Sequence, residues 1–219
     1  MHVKICGITR PEDALHAENA GADAVGLNFV PNTKRFITLE RAREVLSVLG
    51  PFVARVGVFQ NANLETVLET VNAVGLNVVQ LHGQESDAFA LEIERIVPVV
   101  RAVKLEPGMP FVLPEIGAAF LIDGPDPGSG QLADWSRLEA SNLAGRRWLL
   151  AGGLTPENVA GGNRKVATLG RGSLERRGIR SGRERPRKGH SVYSGGKKRE
   201  ERLKSKVTAR ARPFLFFLL

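Results

Sequence analysis

Short apolar runs alternate with amphipathic stretches along residues 1–162, and this alternation restricts the fold more than any other feature of the chain. Several runs are apolar at nearly every position, which is typical of parallel strands covered on both faces. Repeated βα units of this kind predict an α/β fold, a (β/α)8 TIM barrel. The seven strand-like runs are Val3–Ile5, Asp23–Phe29, Val53–Phe59, Val78–Leu81, Val97–Leu105, Ala119–Asp123 and Trp148–Ala151.

Helix signals separate these runs. Proline followed by two acids at Pro11-Glu12-Asp13 predicts a helix start, because free N–H groups in the first turn favour negative charge. Three prolines between Glu106 and Gly117 argue against a long helix before the sixth strand. Caps and terminating glycines predict Leu39–Leu49 after Thr38, Leu64–Val74 before Gly75, Asp87–Ile96 after Ser86, and a helix starting at Thr155-Pro156.

The repeating pattern stops after Gly162. Residues 163–219 hold 18 Lys and Arg against 4 acidic residues, whereas residues 1–162 hold 13 against 19. The tail has almost no apolar periodicity up to Arg212, so it buries too little apolar surface to offset the entropy of ordering its backbone. We therefore divide the chain into an incomplete barrel (1–162) and a basic tail (163–219). The tail is predicted to be disordered and to replace the eighth βα unit.

Composition restricts the setting of the protein. A single cysteine in 219 residues excludes an internal disulfide and a CxxC metal site, and it fits a reducing, cytoplasmic location. The N-terminus has no signal-peptide pattern, since Lys4 interrupts its apolar run. The apolar run Phe214–Leu219 is far shorter than the ~20 residues that span a bilayer. We expect neither secretion nor membrane insertion.

Two ionisable side chains follow apolar strands at the edge where barrel enzymes build their active sites, the carboxyl ends of the strands. Cys6 ends the first strand and is followed by a glycine, so its thiol is a candidate general base; the alternative is a buried structural cysteine. Asp123 ends the sixth strand, where a low dielectric favours a retained proton and general-acid work. The alternative is a carboxylate that caps the next loop.

Other residues at the same edge suit binding. Arg35, after the second strand, suits bidentate recognition of a carboxylate, although a solvated loop charge is the common interpretation. Gln80 and His82, from the fourth strand, are expected to line the site; the alternative for His82 is a polar side chain whose hydrogen bonds are satisfied within the fold. No second histidine or acid has metal-ligand spacing to His82, so no metal is predicted. Glycines at Gly128-Ser129-Gly130 and Gly152-Gly153 leave backbone N–H groups open to a phosphate.

Five stretches together resemble the phosphoribosylanthranilate isomerase family in order and spacing. They are VKICGIT, ADAVGLNF, VQLHG, LIDG followed by GSGQLADW, and AGGLTPENV, and they cover roughly residues 1–160. The resemblance implies an Amadori rearrangement of N-(5-phosphoribosyl)anthranilate in tryptophan synthesis, without cofactor or metal. It implies that Cys6 is the general base at C2 of the ring-opened Schiff base and Asp123 the general acid at the ring oxygen. It also implies that Arg35 holds the anthranilate carboxylate. The oligomeric state, monomer or homodimer, is left open by the sequence.

The C-terminal part departs from the family. Its phosphate site uses N–H groups after strands seven and eight, and only the first pair, Gly152-Gly153, is present. The family's Gly-Val-Asp-Leu-Ser-Ser-Gly-Val-Glu loop is missing, yet codons for residues 170–178 permit it when read one nucleotide later. We therefore infer a frameshift between about Val159 and Asn163. We expect unpaired edges on strands one and seven, poor folding and weak or no activity.

Two other functions are compatible with parts of the sequence. One alternative is a non-catalytic barrel remnant that binds nucleic acid through the basic tail, since lysines and arginines neutralise phosphates. Against this, Tyr193 is the one aromatic residue among residues 163–213, so the segment has no stacking platform. A different phosphosugar-binding barrel enzyme is the other alternative, because fold alone does not fix function. The pairing of Cys6 with Asp123 distinguishes the isomerase from it.

Overall fold

A computed structural model describes residues 2–124, 138, 143, 145–152 and 214–218. The strands follow one another around a closed barrel in chain order, and the first seven are parallel neighbours. The strands are β1 His2–Cys6, β2 Ala24–Asn28, β3 Ala54–Phe59, β4 Val78–Leu81, β5 Val99–Lys104, β6 Ala119–Asp123, β7 Trp148–Leu150 and β8 Phe214–Leu218. The helices are α1 Pro11–Asn19, α2 Leu39–Ser47, α3 Leu64–Val74 and α4 Asp87–Glu94. The predicted α/β barrel is confirmed.

The described helices begin where the sequence predicts. The side chains of Thr38, Asn63 and Ser86 each accept a hydrogen bond from the backbone N–H three residues later, which satisfies a donor that the first turn leaves free. Pro11 occupies the first position of α1, and α3 ends at Gly75. No helix lies between β5 and β6, as the prolines predict. The helix predicted at Thr155-Pro156 lies outside the described residues.

Alternate positions on each strand face opposite sides of the sheet, and this places the two apolar cores. Val3 and Ile5 of β1 face outward and join the large core between barrel and helices. Cys6 faces inward and packs with Val58, Leu121 and other small or branched side chains inside the barrel. An inward-facing residue at the end of a strand therefore reaches the rim of the barrel.

None of the helices in the described part of the chain could cross a membrane.

The expectation of a wholly disordered tail with open barrel edges is wrong at its end. Phe214–Leu218 forms β8, which pairs antiparallel with β1 from His2 to Cys6 and with β7 at Leu149 and Leu150. The physical reason is that two open edges offer unpaired N–H and C=O groups, which a short apolar segment with strand propensity satisfies. The described sheet is closed, although β8 runs antiparallel to its neighbours, whereas the eighth strand of a βα repeat would be parallel to them. The rest of the tail lies outside the described residues.

Candidate active site

The carboxyl ends of four parallel strands bring the predicted residues to one rim of the barrel. Cys6 ends β1, His82 follows β4, Asp123 ends β6 and Gly152 follows β7. Arg35 reaches the same rim from the turn after β2. The strand order therefore brings these positions to one end of the barrel. Gly153 and the Gly128-Ser129-Gly130 loop lie outside the described residues.

Cys6 is a free, buried cysteine that is 8% exposed. Its thiol has room because position 26 of the neighbouring strand is glycine. A Cβ on Gly26 would lie 2.6 Å from Sγ of Cys6 and 3.1 Å from Nζ of Lys4. The thiol and the ammonium group therefore flank one point on the inner wall, and the absence of a side chain there lets both groups fit.

Arg35 lies across the end of β1. Its Nη1 donates a hydrogen bond to the backbone carbonyl oxygen of Cys6, with an N···O distance of 3.2 Å. The fold permits this because Gly7 has φ +77°, a conformation that L-residues with a side chain rarely adopt, and because a Cβ on Gly7 would overlap with the Arg35 side chain. The guanidinium is thus placed beside the candidate base.

Asp123 is 4% exposed, and its two carboxyl oxygens have different neighbours. Oδ1 accepts a hydrogen bond of 2.8 Å from the backbone N–H of Gly124. Oδ2 lies 3.4 Å from Nε2 of His82. Gly152 has φ +82°, and a Cβ there would lie 2.7 Å from the Gly124 nitrogen and 3.2 Å from Oδ1. A glycine after β7 therefore lets the chain pass directly over the candidate acid.

Gln80 connects His82 to the inside of the barrel. Gln80 is 1% exposed, and its Nε2 lies 3.1 Å from Nδ1 of His82. Its Oε1 accepts a 2.8 Å hydrogen bond from Nζ of Lys4. Gln80, His82 and Asp123 are thus in one continuous set of contacts, although the sequence predicted only that they share an edge. Gln80 lies below the rim, so of these two residues from the fourth strand His82 is nearer the mouth.

Lys4 contacts the site from below the rim, through Gln80, and is not among the residues predicted for it. It is 5% exposed, which is uncommon for a lysine. The available signal was its position two residues before Cys6 on the same strand, because alternate strand residues share a face. A charged residue at an inward position of a barrel strand requires a polar partner.

A second network fixes the loop that carries His82. Both carboxylate oxygens of buried Glu85 accept backbone hydrogen bonds, from Asn61 at 2.7 Å and from Gly83 at 2.9 Å. The Asn61 side chain accepts another from the backbone of Gln84. Arg101 of β5 donates to the Glu85 carbonyl oxygen and pairs with Asp87. The loops after β3 and β4 are therefore tied together.

These features define a class of protein: a (β/α)8-barrel enzyme with a thiol and a carboxyl group at the catalytic rim, suited to moving protons on a small substrate. Within the described residues no cluster of His, Cys, Asp or Glu has the arrangement of a metal site.

The comparisons specify the family. The model of the N-(5'-phosphoribosyl)anthranilate isomerase family matches residues 3–181. The isomerase of Deinococcus radiodurans is 41% identical over 175 residues, covering 77% of this chain and 82% of the relative. That of Thermotoga maritima is 43% identical over 164 residues, covering 73% and 80%. The crystal structure of the Thermus thermophilus isomerase has a TM-score of 0.69 at 44% identity and covers 77% of this chain and 83% of its own. The chain belongs to the N-(5'-phosphoribosyl)anthranilate isomerase family.

Proposed function

We propose that this chain catalyses the Amadori rearrangement of N-(5-phosphoribosyl)anthranilate to 1-(2-carboxyphenylamino)-1-deoxyribulose 5-phosphate, a step of tryptophan synthesis. The observation that carries the proposal is the placement of Cys6 and Asp123 at the ends of two strands of one barrel rim, in a chain of this family. A related crystal structure contains reduced 1-(o-carboxyphenylamino)-1-deoxyribulose 5-phosphate, which supports a ligand of this class.

The reaction needs one acid and one base. The Asp123 carboxyl group gives its proton to the ribose ring oxygen, the C1–O bond breaks, and the anthranilate nitrogen's electron pair forms the C1=N bond of a Schiff base. The Cys6 sulfur then takes the proton from C2. The electrons of the C2–H bond form a C1=C2 bond, and those of the C1=N bond return to nitrogen. The resulting enolamine becomes the ketone when C1 gains a proton and the C2 hydroxyl loses one, so no oxidant or reductant is consumed.

The remaining rim residues bind the substrate in this proposal. Arg35 is one hydrogen bond from the Cys6 backbone, so a carboxylate paired with its guanidinium holds the anthranilate ring close to the base. His82 and Gln80 line the wall between base and acid. Backbone N–H groups at Gly152-Gly153 hold the phosphate. The single cysteine fits a cytoplasmic location. The proposed assembly is a monomer or a homodimer, and one relative from Thermotoga maritima is described as dimeric.

We also propose that residues 163–219 are an out-of-frame replacement for the family's eighth βα unit. The sequence LGRGSLERRG at 169–178 supports this, because its codons permit the family loop one nucleotide later. The loop would supply phosphate contacts that the present sequence lacks, so we expect weak substrate affinity. Reading the gene tests the proposal: a shifted frame that does not encode Gly-Val-Asp-Leu-Ser-Ser-Gly-Val-Glu contradicts it. A chain rebuilt in that frame should show a lower KM.

Product identification tests the function. Purified chain is incubated with N-(5-phosphoribosyl)anthranilate, and NMR follows loss of the anomeric C1 signal and appearance of the C1 methylene of the ketose. Asp123→Asn, which keeps the size of the side chain but has no acidic proton, is the matched control. Formation of the ketose above the control rate supports the proposal. Equal rates in the chain and the control contradict it.

A further inference from the structure

One set of contacts crosses the inside of the barrel from β1 to β6 through β4. Nζ of Lys4 donates to Oε1 of Gln80 at 2.8 Å, Nε2 of Gln80 lies 3.1 Å from Nδ1 of His82, and Nε2 of His82 lies 3.4 Å from Oδ2 of Asp123. Lys4, Gln80 and Asp123 are each at most 5% exposed. The contacts therefore lie inside the barrel, where hydrogen bonds are little weakened by competing water.

The chemistry of the first residue fixes the direction of every later contact. A lysine ammonium group is a donor only, so it must face the oxygen of the Gln80 amide. The Gln80 nitrogen then faces His82 and donates to Nδ1, which must be the unprotonated ring nitrogen. The proton of the imidazole is consequently on Nε2, which lies 3.4 Å from Oδ2 of Asp123 without making a hydrogen bond to it. Without Lys4, the Gln80 amide could rotate by 180° and select the opposite tautomer.

Burying the Lys4 ammonium group costs free energy. An ammonium group removed from water carries a large desolvation penalty, and apolar residues of similar volume often stabilise such a position better. Among the described residues, Asp123 on β6 is an ionisable group that lies next to the His82 ring, and Lys4, beside Cys6 on β1, is linked to that ring through Gln80. In the same loop, the carboxylate oxygens of Glu85 accept hydrogen bonds from Asn61 and Gly83.

We propose that Lys4 and Gln80 are positioning residues that hold His82 as its Nε2–H tautomer and thereby keep an N–H donor beside the Asp123 carboxyl group. The proposal rests on the role of Asp123 as general acid. Nε2 of His82 is buried and makes no hydrogen bond to any described residue. The carboxylate oxygen Oδ2 of Asp123 lies 3.4 Å from it. When Asp123 gives its proton to the ring oxygen, its carboxylate becomes a stronger acceptor. The Nε2–H then shortens its contact to Oδ2 and stabilises the new charge, while the proton stays on His82.

The tautomer of His82 distinguishes the two roles that Lys4 and Gln80 could have. If they only stabilised the fold, changing them would not change which ring nitrogen of His82 carries the proton. Two-bond ¹H–¹⁵N spectra of the full chain distinguish Nε2–H from Nδ1–H, and the spectrum of His82→Gln assigns the signal among the four histidines. We expect Nε2–H in the unmodified chain. Gln80→Glu keeps an acceptor for Lys4 but has no N–H for His82, so Nδ1 must become protonated. An unmodified chain with Nδ1–H, or a Gln80→Glu variant with the unmodified pattern, overturns the proposal.

Kinetics supply the second readout. Lys4→Met keeps the length of the side chain without its charge, and it should lower kcat about tenfold to a hundredfold with little change in KM, as expected for a misoriented catalytic group. Arg95→Met, which removes one exposed positive charge from the end of α4, is the control and should retain kcat. A Lys4→Met chain with unchanged kcat and unchanged His82 tautomer contradicts the proposal. If Lys4→Met does not fold, Gln80→Glu carries both readouts, since it retains the partner of Lys4.

The tautomer experiment separates this proposal from the proposed function. It needs no turnover. A chain that is inactive, carries the proton on Nε2 and moves it to Nδ1 in Gln80→Glu contradicts the proposed function while supporting the positioning role of Lys4 and Gln80. An active chain with the proton on Nδ1 supports the proposed function and contradicts the positioning role of Lys4 and Gln80.

Discussion

Replacing Gly26 by alanine should damage catalysis far more than stability, because the added methyl group points at the thiol of Cys6. The new Cβ would lie 2.6 Å from Sγ and 3.2 Å from Cα of Cys6. Nonbonded heavy atoms approach to about 3.5–4.0 Å, so the thiol must move by roughly 1 Å. A displacement of that size at a catalytic group costs about a hundredfold in rate, whereas overpacking a core site costs about 1–3 kcal/mol of stability.

Gly57→Ala is the matched control for this variant. Its Cβ would lie 2.9 Å from the Phe59 ring and would overlap with Leu76, so it overpacks the outer face of β3 and leaves the rim unchanged. Steady-state kinetics, thermal unfolding and the alkylation rate of the single thiol are measured for both variants. We expect Gly26→Ala alone to lose kcat and to change thiol reactivity. Equal losses of kcat in the two variants, or an unchanged kcat in Gly26→Ala, would refute the reasoning.

Three further changes test other parts of the structure. Deletion of residues 214–219 removes five register positions with β1 and two with β7. At about one hydrogen bond per position and about 0.5–1.5 kcal/mol per bond, it should lower the free energy of unfolding by roughly 4–10 kcal/mol, and deletion of Leu219 alone is the control. Glu85→Gln leaves one partly buried backbone N–H, of Asn61 or Gly83, facing another donor, and it should cost about 1–3 kcal/mol in chemical denaturation. Arg35→Met should reduce kcat/KM roughly tenfold to a hundredfold through loss of a charged hydrogen bond, with partial recovery in Arg35→Lys. Unchanged unfolding or kinetics in these variants would contradict the corresponding assignment.

Most of the barrel follows from local sequence signals. The seven parallel strands are each visible as an apolar run, and observed ends differ from predicted ends by at most two residues, as at Val99–Lys104 within the predicted Val97–Leu105. Helix starts follow from single capping side chains such as Thr38 and Asn63. Local patterns suffice here because burial on both faces of a parallel sheet leaves a continuous apolar signature.

The closing strand does not follow from such signals. Phe214–Leu218 is visibly apolar, but its place between β1 and β7 depends on pairing with residues about 70 and 210 positions away, and its antiparallel direction breaks the βα repeat. The candidate site shows the same division. Strand ends identify Cys6 and Asp123, whereas the contact of Lys4 with Gln80 joins residues 76 positions apart. Its chemistry is visible only after the barrel has closed.

The most direct test of the central claim is the kcat of Cys6→Ala and Asp123→Asn with N-(5-phosphoribosyl)anthranilate, measured beside the unmodified chain. Removing a general acid or base costs about 10²–10⁴ in rate. We expect losses of this size in both variants, with KM changed little and with unfolding curves like that of the unmodified chain. A Cys6→Ala or Asp123→Asn variant that turns over at the unmodified rate would contradict the assignment of base and acid.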